Sequence, residues 1–281
     1  INQSKSLKFK DKEKIHKKLV ISCLGLKLEK VLSFLMFKYQ ILVEYVGTNF
    51  RGWQVQKKGK TIQGLIQKKI SKLLKEKIIV FGSGRTDTGV HAIEQSAHFE
   101  CENEIKHSDK FLKSLNYFLN KDGVTILKIK KRDKNFHARF SAKIRIYKYI
   151  IINQQSRPVL ENNRAWHIVR KLDLNIMKKG AKKLIGTKDF STFRASSCRA
   201  KSPIKTMKLI KIKKYKNKIE IEFRSQSFLQ QQVRSMVGCL KYLGEKKWSL
   251  KKFENVMKSK KRILCAPPAP PEGLFLVKIV Y

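Results

Sequence analysis

Apolar positions fall into two rhythms along the chain. The run KYQILVEYV at 38–46 is continuous and β-rich and reads as a strand, whereas Ile62, Leu65, Ile66, Ile70, Leu73 and Leu74 recur at helical spacing across 61–75. Around Gln95 to Glu100, Ser96, His98 and Glu100 alternate with Ala97 and Phe99, the period of a strand. A helix from about Asp109 to Leu119 and a strand from Val124 to Ile129 follow. The second half repeats the rhythm with a strand at 145–152, a helix at 173–185, and strands at 204–214 and 218–224 split by the turn Lys216-Asn217-Lys218. Helices at 228–243 and 249–258 come next, and a last strand, Leu274 to Tyr281, follows a Pro-rich loop at 267–271. Strand and helix alternate while some strands run together as hairpins, which predicts an α+β fold of two related sheet-bearing halves.

The first 35 residues break this pattern. A Lys-rich polar stretch leads to a short apolar run, Leu19 to Leu26, interrupted at once by Lys27, Glu29 and Lys30. A basic segment before about eight apolar residues has the outline of a signal peptide, but no small-residue cleavage site follows it. The run is also too short to span a bilayer. Met36 stands immediately before the first convincing strand, so residues 1–35 are expected to be an extension outside the fold. Residues 36–140 and 141–281 then form the two halves, with no membrane attachment.

Composition narrows the class of partner. With 281 residues, 42% of them hydrophobic, the chain is long enough to bury a substantial core. Its 64 Lys and Arg against 21 Asp and Glu give a formal charge of +43, more than solubility requires, which favours a polyanion such as nucleic acid. A lysine-rich genome accounts for part of that excess, and charge alone specifies no chemistry. The five cysteines, at 23, 101, 198, 239 and 265, show neither C-x-x-C pairs nor His at ligand spacing. Neither a zinc site nor a disulfide framework is indicated, and reduced cytoplasmic thiols are the default.

Three segments concentrate candidate chemistry. The loop Gly82 to His91 holds Arg85 and Asp87 among glycines that permit tight turns and close approach to a ligand. It lacks the Gly-Lys-Ser/Thr ending of a phosphate-binding loop. An Asp between glycines is usually a turn former, and without further context Arg85 reads as a solvated surface charge and His91 as a structural hydrogen-bonding residue. The second segment, Asn135 to Ala142, runs into Arg145-Ile-Tyr-Lys-Tyr149. Interleaved basic and aromatic side chains along a strand suit RNA, guanidinium groups meeting phosphates while a ring stacks on an unpaired base. The alternative is a half-buried strand with its rings in the core, favoured for Tyr149 and evenly balanced for Tyr147. In the third, Phe228 to Gly238, an apolar helical stripe of Phe228, Leu229, Val233, Met236 and Val237 has Arg234 at its rim, where it is a candidate partner for Asp87.

Taken in order, these segments resemble a known family. Phe50-Arg-Gly-Trp-Gln, Gly84-Arg-Thr-Asp-Thr-Gly-Val-His-Ala92, Phe136-His-Ala-Arg-Phe-Ser-Ala with Tyr147 beyond it, Asp189-Phe-Ser-Thr-Phe-Arg194, Phe228-Leu through Val233-Arg-Ser-Met-Val-Gly238, and Ala266-Pro through Gly273-Leu are similar to the successive motifs of the bacterial tRNA pseudouridine synthase A family. The resemblance runs from about residue 38 to the C-terminus. It implies the pseudouridine synthase fold: two pseudo-symmetric ferredoxin-like or RNA-recognition-motif-like halves with antiparallel sheets and a central catalytic cleft. It also implies a homodimer, no cofactor or metal, and action on uridines 38, 39 and 40 in the anticodon stem-loop of tRNA. By motif position, Asp87 corresponds to the catalytic nucleophile and Arg234 to the arginine paired with it. Tyr147 corresponds to the substrate-stacking tyrosine and Arg85 to the base-flipping position, with Phe136, His137, Ala138, Arg139 and Phe140 assigned to substrate binding. Three departures stand out: Val46 where the family usually has Asp, Thr88 for a usual Ala, and Gln230 and Gln231 where His is frequent. Val46 bears on local loop geometry; none replaces a catalytic position.

The residues suit that chemistry. A uridine isomerase must break the N1–C1′ bond, turn the uracil and rejoin it through C5. A carboxylate can trap or stabilise an oxocarbenium-like sugar, or remove a sugar proton, and the sequence leaves both routes open. Extruding the base costs a few kcal/mol, which gives a ring such as Tyr147 and a wedge such as Arg85 defined tasks. A non-catalytic RNA-binding protein on the same fold is the main rival. A nuclease or zinc deaminase would show acidic metal clusters or a zinc signature, and neither is visible.

Overall fold

The computed structural model describes residues 36–281, so the expectation for residues 1–35 lies outside the described residues. The first half contains β1 (Phe37–Tyr45), α1 (Ile62–Leu74), β2 (Val80–Gly82), β3 (His91–Cys101), α2 (Ser108–Leu119) and β4 (Val124–Arg132). The second contains β5 (Ile144–Asn153), β6 (Trp166–Ile168), α3 (Leu174–Leu184), β7 (Gly186–Asp189), β8 (Ile204–Tyr215), β9 (Lys218–Ser225), α4 (Gln232–Gly244), α5 (Leu250–Lys258) and β10 (Leu274–Val280). The mixed α and β content and mostly antiparallel pairing match the expected fold class.

The two halves share one sheet. Its strands run in the order β4-β1-β3-β10-β5-β9-β8-β7, with β2 added to β3 and β6 to β5. The C-terminal strand makes the join: β10 pairs parallel with β3 through Phe275–His91 and Leu276–Ala92, and antiparallel with β5. Residues directly opposite each other project from the same face. The row Tyr45–Ala92–Leu276–Tyr147–Phe223 therefore lines one face across both halves.

Period-2 patterning decides which face is core. Along β1, Tyr39, Ile41, Val43 and Tyr45 are buried and share an apolar cluster with Ile62, Ile66 and Ile70 of α1 and Leu115 and Leu119 of α2. The other face of β1 and β3 is polar, with Gln40 opposite His98 and Lys38 opposite Glu100. In the second half Met177, Ala181 and Leu184 of α3 meet the same core as Met236, Val237, Leu240 and Leu243 of α4. Gly180 makes that approach possible, since a Cβ there would lie 2.4 Å from Leu243 Cδ1.

The helix predicted from Phe228 starts at Gln232 instead. Gln231 adopts φ +59° as its N-cap, and the Gln232 side chain accepts a hydrogen bond from the Leu229 amide, so Phe228–Gln231 forms a separate turn. The segment Asn135–Ala142 is likewise a loop rather than part of a strand, with β5 beginning at Ile144. Among the described residues no helix is long and apolar enough to cross a membrane.

Candidate active site

Asp87 sits in the loop between β2 and β3, and its position is fixed from two sides. The Phe50-Arg-Gly-Trp turn packs beneath it: the Trp53 amide donates to Thr86 O at 3.1 Å and the Gly89 amide to Phe50 O at 3.4 Å. Gly52 has φ +83°, and a Cβ there would stand 2.4 Å from Thr86 O, so only glycine lets the two loops meet so closely. From the sheet, the Tyr45 and Thr86 hydroxyls share a hydrogen bond of 2.8 Å. On the other side of Asp87, Pro271 packs against Gly89, 3.0 Å from where a Cβ would be.

Arg234 reaches the carboxylate from the opposite half. Its Nη1 lies 3.5 Å from Asp87 Oδ2, and the two side chains are 13% and 27% exposed. A second bond, from Nε to Ala269 O at 2.7 Å, holds the guanidinium while the Ala269 amide donates back to Arg234 O at 2.9 Å. Gly238, one turn further along α4, lets the Pro-rich loop lie this close, since a Cβ there would be 2.1 Å from Pro267 O. The loop at 267–271 thus touches both Arg234 and the Asp87 loop.

The electrostatics of the pair are unequal. Burial pushes the Asp87 carboxyl above its ordinary value, and the Arg234 charge and hydrogen bond pull it back only in part. Arg234 therefore offsets the desolvation of Asp87 incompletely.

Tyr147 lies in the same electrostatic neighbourhood: burial pushes its hydroxyl up to about 12, with Arg145 lowering it and Asp87 raising it further. Its ring is 7% exposed and meets Phe228 edge-on at 5.0 Å. Among the described residues its hydroxyl carries no hydrogen bond, unlike those of Tyr45, Tyr149 and Tyr281. Tyr149 is a core residue, as its pattern favoured, and its hydroxyl donates to Pro270 O at 2.8 Å.

The remaining candidates separate. Arg85 is exposed, and its Nε donates to Gln54 Oε1 at 3.1 Å, leaving the guanidinium tip toward solvent. His91 takes the structural role: Nδ1 accepts from the Gly47 amide at 3.0 Å and Nε2 donates to Asn163 O at 2.9 Å. Burial, above all, lowers its pKa, and Phe275 stacks on the ring at 4.8 Å. Phe136 and Ala138 are buried on the polar face of the sheet, His137 is half-buried, and Arg139 and Phe140 are exposed. Val46 projects outward without disturbing its neighbour Gly47, whose amide still caps His91.

One organising residue was missed. Arg145 is 8% exposed, and it donates from Nη2 to Ser83 O at 2.6 Å and to Arg139 O at 2.9 Å. Its Nη1 donates to Gln226 O, so one guanidinium ties the root of the Asp87 loop to two other segments. Its place beside Tyr147 in a basic-aromatic strand was visible, but nothing local distinguishes an arginine that bonds carbonyls from one that meets phosphates. No group of three or more His, Cys, Asp or Glu able to hold a metal occurs among the described residues.

Sequence comparison bears on this arrangement. The family described as tRNA pseudouridine synthase matches residues 41–141 and 181–281, spans that include Asp87 and Arg234 but not Tyr147. A tRNA pseudouridine synthase A from Pelagibacter ubique (strain HTCC1062) is 70% identical over 246 residues, 88% of this chain and 100% of that protein. Proteins of the same name from Parvibaculum lavamentivorans and Paramagnetospirillum magneticum are 39% and 42% identical over 88% of this chain, and over 100% and 96% of their own lengths. With the family match covering more than half of the sequence and relatives aligned along nearly their whole length, this chain belongs to the tRNA pseudouridine synthase family, a family of isomerases.

Proposed function

We propose that this chain isomerises uridine to pseudouridine at positions 38, 39 and 40 of the tRNA anticodon stem-loop, using the Asp87 carboxylate and no cofactor. The observation that carries the reading is the half-buried Asp87, held 3.5 Å from Arg234, with a loop of the first half and a helix of the second supplying the two residues. Two loops and one helix converge there on a single ionisable oxygen pair, more constraint than a turn-forming Asp needs.

The atoms balance without an external reagent. The N1–C1′ bond breaks, the uracil turns, C5 bonds to C1′, the proton on C5 is lost, and N1 gains one. No electrons leave the substrate, so the protein supplies positioning and charge. Asp87 acts either by bonding to C1′ or by taking a sugar proton. Arg234 keeps the carboxylate available against desolvation, and Tyr147 stacks on the substrate base. Arg85, free at its tip, occupies the place of the extruded base. A homodimer acting in the cytoplasm is part of the proposal.

Mapping of modified tRNA by carbodiimide treatment and primer extension tests this. Purified wild type with unmodified tRNA and no additive gives new stops at positions 38 to 40. Their absence removes the positional assignment, and stops elsewhere in the tRNA redirect it. The rival, RNA binding without chemistry, predicts tRNA binding and no stops at all.

A further inference from the structure

The loop 133–143 crosses the polar face of the sheet, and nearly every backbone group at its apex is bonded. The His137 amide donates to Ser141 Oγ at 3.0 Å, and the Ala138 amide donates to His98 Nδ1 at 3.2 Å. Ala138 O accepts from the Tyr281 hydroxyl at 2.9 Å, and Arg139 O from Arg145 at 2.9 Å. The Arg139 and Phe140 amides both point at His137 Nδ1, at 3.1 and 3.4 Å. A loop fixed so completely nevertheless leaves Phe140 75% exposed.

Phe140 is the outermost ring of a ladder. Its centroid lies 4.4 Å from that of His137, which is 4.6 Å from His98, which in turn is stacked with Phe81 at 5.2 Å and an interplanar angle of 23°. Phe81 is itself 45% exposed and belongs to β2, one residue before the glycine-walled loop that carries Asp87. Arg139 lies 5.5 Å over the Phe140 ring, and Lys38 is near enough to repel protons from both histidines. Single exposed aromatics are ordinary on protein surfaces. Two exposed rings bridged by histidines, on a backbone locked by side-chain bonds and rimmed by cations, match what a nucleobase next to a phosphate requires.

We infer that Phe140, His137 and Phe81 form a stacking subsite for an unpaired nucleobase flanking the uridine handled at Asp87. The inference deepens the proposed function and rests on it. Arg145 connects the two places, since it bonds both Arg139 O and Ser83 O, so a base seated on the ladder and a uridine at Asp87 are held by one rigid frame. With His137 Nδ1 occupied by amides, its neutral ring carries the hydrogen on Nε2. That atom has no partner among the described residues and is left to donate to an oxygen at the base edge.

The test uses the full chain and a synthetic anticodon stem-loop RNA bearing 2-aminopurine in turn at each nucleotide flanking the target. Wild type quenches the fluorescence at one flanking position. Phe140→Ala and Phe140→Leu lose that quench and bind the RNA about tenfold or more weakly, the effect of losing one base stack. Phe140→Tyr restores both, because an aromatic face rather than bulk is required. Melting temperatures stay unchanged across the series, since the ring is mostly solvent-exposed. Tight binding and unaltered quenching in the Ala and Leu variants overturn the subsite, as does equal rescue by Leu and Tyr. Both readouts are of binding, so they report on the ladder even if wild type converts no uridine, an outcome that sinks the functional proposal instead.

Discussion

The coupling between Arg234 and Asp87 should stabilise the protein only while Asp87 is ionised. At 3.5 Å and an effective dielectric constant near 20, the pair's Coulomb energy is about 5 kcal/mol. Side chains 13% and 27% exposed are partly screened, which lowers the expected net coupling to about 1–3 kcal/mol. For a domain of this size that is a melting-point loss of roughly 2–4 °C per kcal/mol. The sign follows from the carboxyl, whose folded pKa lies above its ordinary value because burial outweighs Arg234. The pair exists only above that folded pKa, so the coupling is present where Asp87 is ionised and fades as acid protonates it. A thermal double-mutant cycle with Asp87→Asn, run at pH 7.5 and in acid, measures this directly. Coupling near zero at pH 7.5, or equal coupling at both pH values, would refute the pairing. The acid limb of turnover should also move to higher pH in Arg234→Gln, because the remaining influence on Asp87 is desolvation.

Three further outcomes follow. Gly52→Ala should cost at least about 1–2 kcal/mol, the penalty of a left-handed φ for an L side chain, with an added clash on Thr86 O. Its kcat should fall more than its RNA affinity, as turnover and filter binding will report. His98 is buried and, chiefly through desolvation, depressed to about 4 from 6.5. Its contribution is therefore present above pH 6.5 and lost toward pH 4, up to about 3 kcal/mol. Denaturant titrations over that interval should show a flatter pH dependence for His98→Gln than for wild type. A chain starting at Met36 should fold and turn over like the 281-residue chain; an insoluble product would place residues 1–35 in the fold.

Long, strongly periodic segments were legible in the sequence. α1 spans Ile62–Leu74 against a reading of 61–75, and the β8–β9 hairpin turns where Lys216-Asn217-Lys218 indicated, with Lys216 at φ +52°. The short strands β2, β6 and β7 were not legible, since three or four residues cannot establish a period and they exist by pairing with β3, β5 and β8. Nor was the merging of two sheets into one, because a two-residue parallel join between β10 and β3 leaves no local trace. Within the site, Asp87 and Arg234 were nameable from their motifs, whereas Arg145 was not assigned a role. Its partners are the carbonyls of Ser83, Arg139 and Gln226, and every residue type offers a carbonyl. The proximity of the Cys239 and Cys265 sulfurs, 3.4 Å apart, was equally invisible at a separation of 26 residues.

Turnover should depend on the Asp87 carboxylate. Rejoining uracil through C5 must expel the hydrogen on that carbon, so tRNA carrying tritium at uridine C5 reports each turnover as label released to water. Wild type should release tritium without added cofactor. Asp87→Asn should release none while binding tRNA within about tenfold of wild type, because phosphate contacts supply most of the grip. Release by Asp87→Asn at a rate comparable to wild type would contradict the account.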